Sequence, residues 1–532
     1  MKMRSWPFVS GLVLSAAVIG SILVTSATAK RKPPPPPPPP SPATWSTYVK
    51  DYANVIDGVK CGLTPEVVQA TSDGGSVALA LSDRPSAAAS YSCAGVNWLV
   101  KVDSSGSPQW QEAVGCFNLP PGSYSYGVSL QQTADGGYVL GGGTLGCGSG
   151  TICPYLSGLQ CGLIEKLDAT GQLIWAQVYL IGRTATAINA IRQTSDGGFV
   201  AAGSTYDSSQ NTGAVSALIL KLDSQGNVQW RRLLGQAGGP TSAYLNALQQ
   251  TTDGGYVATG EFSAPDSCQY GHGCGQGVLV VKLDANGNLD WQRGFNSIDS
   301  SGAPTASEHA LSITTSSDGG YVVAGNWGNS IGPGSCCIGA LLLKLDANGN
   351  SQWQKAYSGG VHCFFNGFNT TCHAIGALAY SVHQTSDGGY VMAGLTNLKE
   401  PDSAPQVPWL AKTDTNGNLL WQHAYYDTYP ATGRTLSQYF ASSDLTSGGG
   451  YLALGFTEDP TDFSGELFAV KTDSAGLVGS CSQVHPATPL SEIDPRLATI
   501  APALPVQTPT AAQGDSPSTT QPTSISSTPG QC

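Results

Sequence analysis

Gln193-Thr194-Ser195-Asp196-Gly197-Gly198-Phe199-Val200-Ala201-Ala202-Gly203 is the stretch that sets the fold of this chain. Asp-Gly-Gly signals a tight hairpin turn, because glycine enters the positive-φ region without steric penalty. The residues after it form an apolar run ending on glycine. Those before it, Ala190-Ile191-Arg192-Gln193, alternate apolar and polar as a half-buried strand does. The same half recurs at Asp135-Gly136-Gly137-Tyr138, Asp253-Gly254-Gly255-Tyr256, Asp318-Gly319-Gly320-Tyr321 and Asp387-Gly388-Gly389-Tyr390. Weaker copies stand at Asp73-Gly74-Gly75 and Gly449-Gly450-Tyr451.

Between these copies lies a second half, Leu283-Asp284-Ala285-Asn286-Gly287-Asn288-Leu289-Asp290-Trp291. Its Lys-x-Asp-x-x-Gly core occurs seven times, with Asp103, Asp168, Asp223, Asp284, Asp346, Asp414 and Asp473. The period is roughly 60 residues, and each unit resolves into four strands joined by two tight turns and two longer connections. Four-stranded sheets repeated around an axis are propeller blades. Seven tryptophans take the fourth-strand position: Trp45, Trp110, Trp175, Trp230, Trp291, Trp353 and Trp421. The first precedes any complete unit, and the last unit ends in Gly476-Leu477-Val478-Gly479 without one. The expectation is an all-β, seven-bladed β-propeller, with the strand from Trp45 pairing near Lys471 to close the ring and remove the open sheet edge.

Composition agrees. Of 532 residues only 11% are charged and 67 are glycine, the profile of short strands and glycine turns. Net charge is −12 with no basic run beyond the first residues and Lys30-Arg31-Lys32, which argues against a nucleic-acid partner. Fourteen cysteines point to an oxidising compartment. Lys2 and Arg4, an apolar run from Phe8 to Val24 and Ala27-Thr28-Ala29 read as a signal peptide over 1–29, with an uncleaved membrane anchor as the alternative. Residues 30–44, with eight prolines from Pro33 to Pro40, form a stiff linker. The propeller occupies 45–481, and 482–532 is a Ser/Thr/Pro-rich tail expected to be disordered. The location expected is secreted or cell-surface.

The two repeat halves resemble tandem repeats of large secreted bacterial and archaeal propeller proteins. The resemblance covers Trp45 to Cys481 and implies a fold and an extracellular setting, but no reaction. The Asp-x-x-Gly-x-x-x-Trp stretch is also similar to the tryptophan-docking motif of quinoprotein dehydrogenase propellers, with one residue of difference in spacing. That similarity implies shared packing and carries no quinone site.

A feature present in every unit reads as scaffold, so a site has to break the repeat. The repeated Asp caps its own turn, and the repeated Lys lays its stem over apolar neighbours. A calcium loop at Asp-x-Asn-Gly-Asn lacks the further ligands and the terminal Glu. The long connections lie on the face opposite the tight turns and are where binding is expected. The most distinctive is His362-Cys363-Phe364-Phe365-Asn366-Gly367-Phe368-Asn369-Thr370-Thr371-Cys372-His373. It reads as a disulfide-closed loop over Cys363 and Cys372, with Phe364, Phe365 and Phe368 either tucked against a blade or exposed as a binding tip. A Cys₂His₂ metal site is the sharpest alternative, though its spacing is not a standard zinc pattern. Cys268 and Cys274 around His272 repeat the small-loop theme.

Four residues before the first-turn Asp stand Gln69, Gln131, Arg192, Gln249, Thr314 and His383, a set expected to line the axial channel. Arg192 and His383 break its pattern and are the two channel candidates for ligand binding or catalysis. Acids such as Asp207, Asp266 and Glu308 fall near variable connections, where sequence does not pair them. No catalytic, cofactor or metal motif is present, so no catalytic residue and no cofactor is expected. The leading expectation is a binding or adhesion scaffold for a glycan, protein or surface ligand. The alternative is a secreted propeller enzyme, a polysaccharide hydrolase or lyase or a quinoprotein-like oxidoreductase. Convergent carboxylates in a pocket on the loop face would favour the enzyme.

Overall fold

A computed structural model describes residues 62–83, 97–115, 124–145, 160–181, 185–206, 215–235, 242–263, 276–297, 307–328, 338–365, 370–397, 406–426, 438–458 and 465–479, with short strands within 45–60 and 484–529. All regular structure among them is β. One unit shows how the sequence builds a blade. Thr194 O accepts from Gly197 N at 2.9 Å and Thr194 N donates to Gly198 O at 2.9 Å, with Gly197 at φ 81°. That is a type I turn followed by a left-handed glycine, one of the standard hairpin connections. It joins Ala185–Gln193 to Phe199–Tyr206, which pairs with Val215–Leu222 and then Val228–Leu234, all antiparallel. The second tight turn, Asp223 to Asn227, has the same geometry, with Gly226 at φ 83°.

The chain is an all-β propeller of four-stranded antiparallel blades. The innermost strands of successive units, from Gly62–Ala70 through Tyr124–Gln132, Ala185–Gln193, Ser242–Gln250, Ser307–Thr315, Thr370–Gln384 and Gln438–Leu445, contact one another in turn and the last contacts the first. The hydrogen-bonded sheets do not separate as the repeat count expects. Among the described residues five sheets have five strands each, one has ten, and Val55–Ile56 with Val59–Lys60 forms a separate two-stranded pair. The ten-stranded sheet contains two four-strand meanders whose connection is itself a ladder, from Ser358↔Gly376 to Phe365↔Thr370. The stretch read as a loop around Cys363 therefore continues two 15-residue strands, Ser351–Phe365 and Thr370–Gln384, where most others have seven to nine. Val361, the Phe pair and Thr370–Thr371 are residues that favour extended backbone.

Trp45–Val49 pairs antiparallel with Gly465–Lys471, in the register Trp45↔Lys471 to Val49↔Leu467. The ring is thus closed by its N-terminal strand, as the tryptophan count expects. Fourth-strand tryptophans join neighbouring units. Trp110, Trp175, Trp230, Trp291 and Trp353 each set an edge or a tilted face against Tyr138, Phe199, Tyr256, Tyr321 and Tyr390 of the next unit, with centroids 5.5–6.0 Å apart. The same rings roof the next unit's turn glycine. A Cβ on Gly226 or Gly287 would come within 2.9 or 2.8 Å of Trp175 or Trp230. Inter-unit packing is therefore aromatic and closely fitted.

Residues after Ser482, expected to lack regular structure, contribute seven short strands among the described residues. Val484–Pro486, Ser491–Ile493, Leu497–Ile500, Val506–Gln507, Ala511–Asp515, Thr519–Pro522 and Thr528–Pro529 pair antiparallel with the outermost strands of the units in reverse chain order, ending on Trp45–Val49. Each outer strand has an unsatisfied row of N–H and C=O groups, which an extended segment can fill by main-chain pairing alone.

Candidate functional site

In six units the polar groups of the first turn are paired. Asp223 accepts from Gln225 N at 2.9 Å and Asn227 N at 2.8 Å, so the second-turn aspartates cap their own turns. The first-turn aspartates accept from buried lysines: Lys101–Asp73 at 2.8 Å, Lys166–Asp135 at 3.0 Å, Lys221–Asp196 at 2.9 Å, Lys282–Asp253 at 2.9 Å, Lys344–Asp318 at 2.8 Å and Lys412–Asp387 at 3.0 Å. Burial raises the Asp196 carboxyl, but Lys221, Thr194 and the Gly198 N–H outweigh it and hold the group at about 2.

Where the first strands begin, on the side of the longer connections, the repeat breaks. Glu261 stands one residue after the strand glycine, where the other units carry Leu81, Gly143, Ser204, Asn326, Leu395 and Phe456. Its carboxylate is buried, with 3% of the side chain exposed. Three groups converge on it. Tyr244 OH donates to Oε2, Asn246 Nδ2 donates to Oε1 at 3.3 Å, and His309 Nδ1 lies 2.9 Å from Oε2. Tyr244 sits directly across the ladder from Glu261, whereas His309 comes from the next unit. Asn246 also donates to Ala310 O at 2.9 Å, tying the two units together.

A carboxylate only accepts, so His309 Nδ1 carries the proton and Nε2 turns its lone pair outward. The His309 side chain is 40% exposed, and Nε2 has no hydrogen bond among the described residues. The bond to Glu261 raises the imidazole above its usual range, against the opposing effect of burial. Glu308 adds a second carboxylate whose charge acts on His309. It is fully buried, accepts from Ser297 N at 3.2 Å through Oε1, and leaves Oε2 without a partner. Burial pushes its carboxyl up to about 7. Burial and the Glu261 bond raise the Tyr244 phenol as well. The arrangement is a solvent-facing imidazole anchored on a buried carboxylate, suited to giving and taking a proton.

The two channel residues singled out in sequence lie toward the turn face and share one acid. His383 Nε2 lies 2.7 Å from Ser443 O, and its Nδ1 lies 3.9 Å from Asp444 Oδ1. Arg192 donates to Ile191 O at 2.7 Å and Ser129 Oγ at 3.3 Å, and it feels the Asp444 charge. Asp444 accepts from Ala70 N at 2.9 Å, so it also joins the last unit to the first. Cys363 is the register partner of Cys372 in this ladder, Phe364 of Thr371 and Phe365 of Thr370. Phe368, Cys268, Cys274, Asp207 and Asp266 lie outside the described residues. Cys161 is disulfide-bonded. Tyr244, Glu261, His309 and Asp444 were not found by sequence reasoning. Aligning the seven strand-B ends would have exposed Glu261 as the one charged residue in its column.

No known protein family matches the chain in sequence, and no curated protein does either. Among solved structures, an alpha-L-arabinanase of Penicillium chrysogenum complexed with arabinobiose is similar at 9% identity over 82% of this chain and 99% of that one, with a TM-score of 0.34. No helix among the described residues is long and apolar enough to cross a membrane.

Proposed function

We propose that the chain is a secreted propeller enzyme acting on polysaccharide, with its site on the side of the longer connections and His309 as the proton-transfer group. A propeller of seven blades over 45–481, the ten-stranded sheet counting as two, follows a signal peptide over 1–29 and a linker over 30–44. The observation that carries the reading is the half-exposed His309 imidazole held at 2.9 Å by the buried Glu261 carboxylate. Glu261 fixes the tautomer and stabilises the imidazolium; Tyr244 and Asn246 hold Glu261. Because Glu261 raises the imidazole, the acid form persists further toward neutral pH, and an acid-dependent rate falls as pH rises through the raised value. The test is turnover on neutral and uronate-containing polysaccharides, read as new reducing ends for hydrolysis and as an unsaturated, ultraviolet-absorbing product for elimination. His309→Ala and Glu261→Gln should abolish either signal. No turnover on any glycan, or full turnover in His309→Ala, overturns the reading.

A second reading, that of a binding scaffold, is supported by the paired 15-residue strands that extend beyond the usual strand length. Here Phe364, Phe365 and Phe368 are the anchors, and Cys363 and Cys372 form the disulfide that pins them. Replacing the three phenylalanines with serine should weaken capture of a glycan or protein ligand at least about tenfold without moving the melting temperature. A fall in melting temperature instead would mark the rings as core.

A further inference from the structure

Six of the seven repeat lysines hold a turn carboxylate within 3.0 Å. The seventh does not. In the last unit the turn reads Thr446-Ser447-Gly448-Gly449-Gly450, so Gly448 stands where Asp73, Asp196 and Asp387 stand elsewhere. Lys471 is nonetheless buried, at 9% exposure against 3–5% for its counterparts. Its Nζ donates to Ser104 O of the first unit at 3.2 Å and makes no ion pair among the described residues. Burial lowers its pKa below the usual lysine value. The turn has adjusted to the missing acid, since Gly450 N donates to Thr446 Oγ1 at 3.1 Å where Gly198 N donates to Asp196 Oδ1 at 3.0 Å.

Beside Lys471, at the seam between the last unit and the first, lies a small pocket open to solvent. Lys471, Thr446, Ser447, Thr71 and Ser76 supply its polar lining, with Leu452 on the apolar side. We infer that this seam binds a small monocarboxylate, whose carboxylate takes the place of the missing turn aspartate against Lys471. The six intact units define the complement: a carboxylate on one carbon, held by an ammonium and a neighbouring hydroxyl, as Thr385 Oγ1 donates to Asp387 Oδ1 at 2.6 Å. Acetate is that side chain without its tether. A ligand here bridges the first and last units, so its binding stabilises the closed ring by mass action.

The test is chemical complementation on the full chain. Melting temperature is followed against sodium acetate at constant ionic strength, with sodium chloride as the balancing salt. The wild type should rise with acetate and saturate. Lys471→Gln should lose the response. Gly448→Asp, at a glycine outside the positive-φ set, should melt higher than wild type in chloride and be indifferent to acetate, because the tethered carboxylate occupies the site. A flat wild-type response, or an equal response in Gly448→Asp, overturns the inference. Should Lys471→Gln fail to fold, the wild type and Gly448→Asp alone decide it. Neither residue touches the Glu261 cluster, so failure here leaves the proposed activity standing.

Discussion

At the repeated turns a carboxylate meets a buried lysine; where the first strands begin it meets a buried strand end. Asp196 is 56% exposed at its side chain and sits at about 2 because Lys221, Thr194 and a backbone N–H outweigh its desolvation. Glu308 is fully buried, has one bonded oxygen, and sits at about 7. The same functional group is thus driven in opposite directions by a fold that repeats its turns and varies its strand ends. The sign of the effect on stability follows. Asp196 contributes stability above its unfolded value of 3.8, and that contribution is lost as pH falls through about 2. Glu308 contributes most below 4.5, and its contribution is lost as pH rises through about 7. Asp196, in the repeated turn, tolerates ionisation; Glu308, beside the Glu261–His309 pair, resists it, which is where proton chemistry is expected.

The comparison can be broken most severely at the ring itself. Deleting residues 1–52 removes Trp45–Val49 from its ladder with Gly465–Lys471. Stability in a denaturant titration should fall by several kcal/mol, since a whole strand's burial is lost. An unchanged midpoint would mean that the first strand does not close the ring. Next, Glu261→Ala leaves Tyr244, Asn246 and His309 without their acceptor and should cost about 3 kcal/mol. The matching change in an ordinary unit, Ser204→Ala, should cost almost nothing. Equal costs would remove the distinction between the Glu261 cluster and the repeat.

The contrast sharpens when pH is varied. Glu308→Gln should leave stability at pH 4 unchanged and raise it at pH 8 by up to about 3 kcal/mol, because the charged form no longer has to be buried. A parallel pair of stability–pH curves for wild type and variant would contradict the burial argument. The smallest effect belongs to Asp196→Asn. Its carboxylate is half exposed, so the loss at pH 7 should stay under about 1 kcal/mol and vanish below pH 2. A larger loss would show that the turn pairs hold the units together rather than finishing them.

How much of this was readable in advance divides along the same line. Asp-Gly-Gly and Lys-x-Asp-x-x-Gly state their turns locally, through glycine's backbone freedom and an Asx cap, so blade, period and closure could be read from spacing. Trp45 identified the closing strand because one aromatic per unit left one over. Glu261 and His309 are 48 residues apart, on neighbouring units. Nothing in either local pattern announces the other, and only the angle between blades brings them within a hydrogen bond. The ladder around Cys363 was missed for another reason. Asn366-Gly367 and the flanking cysteines read as a loop, whereas the strands on either side continue past the usual unit length. The tail's composition lacks a core of its own, and main-chain pairing needs none.

Val49 must wait for Leu467 before the ring can close, because its ladder partner is synthesised roughly 420 residues later. At about 5–20 residues per second, translation alone imposes a delay of roughly 20–80 seconds. Throughout that interval the Trp45–Val49 segment is an unpaired β-strand with an aromatic at its head, the kind of sequence that seeks any available edge. Each completed blade meanwhile offers such an edge on its outermost strand. The order of synthesis therefore places a competition inside the growing chain, between early capture by the wrong blade and late capture by the right one. A closing strand of five residues is short enough to let go of a wrong partner.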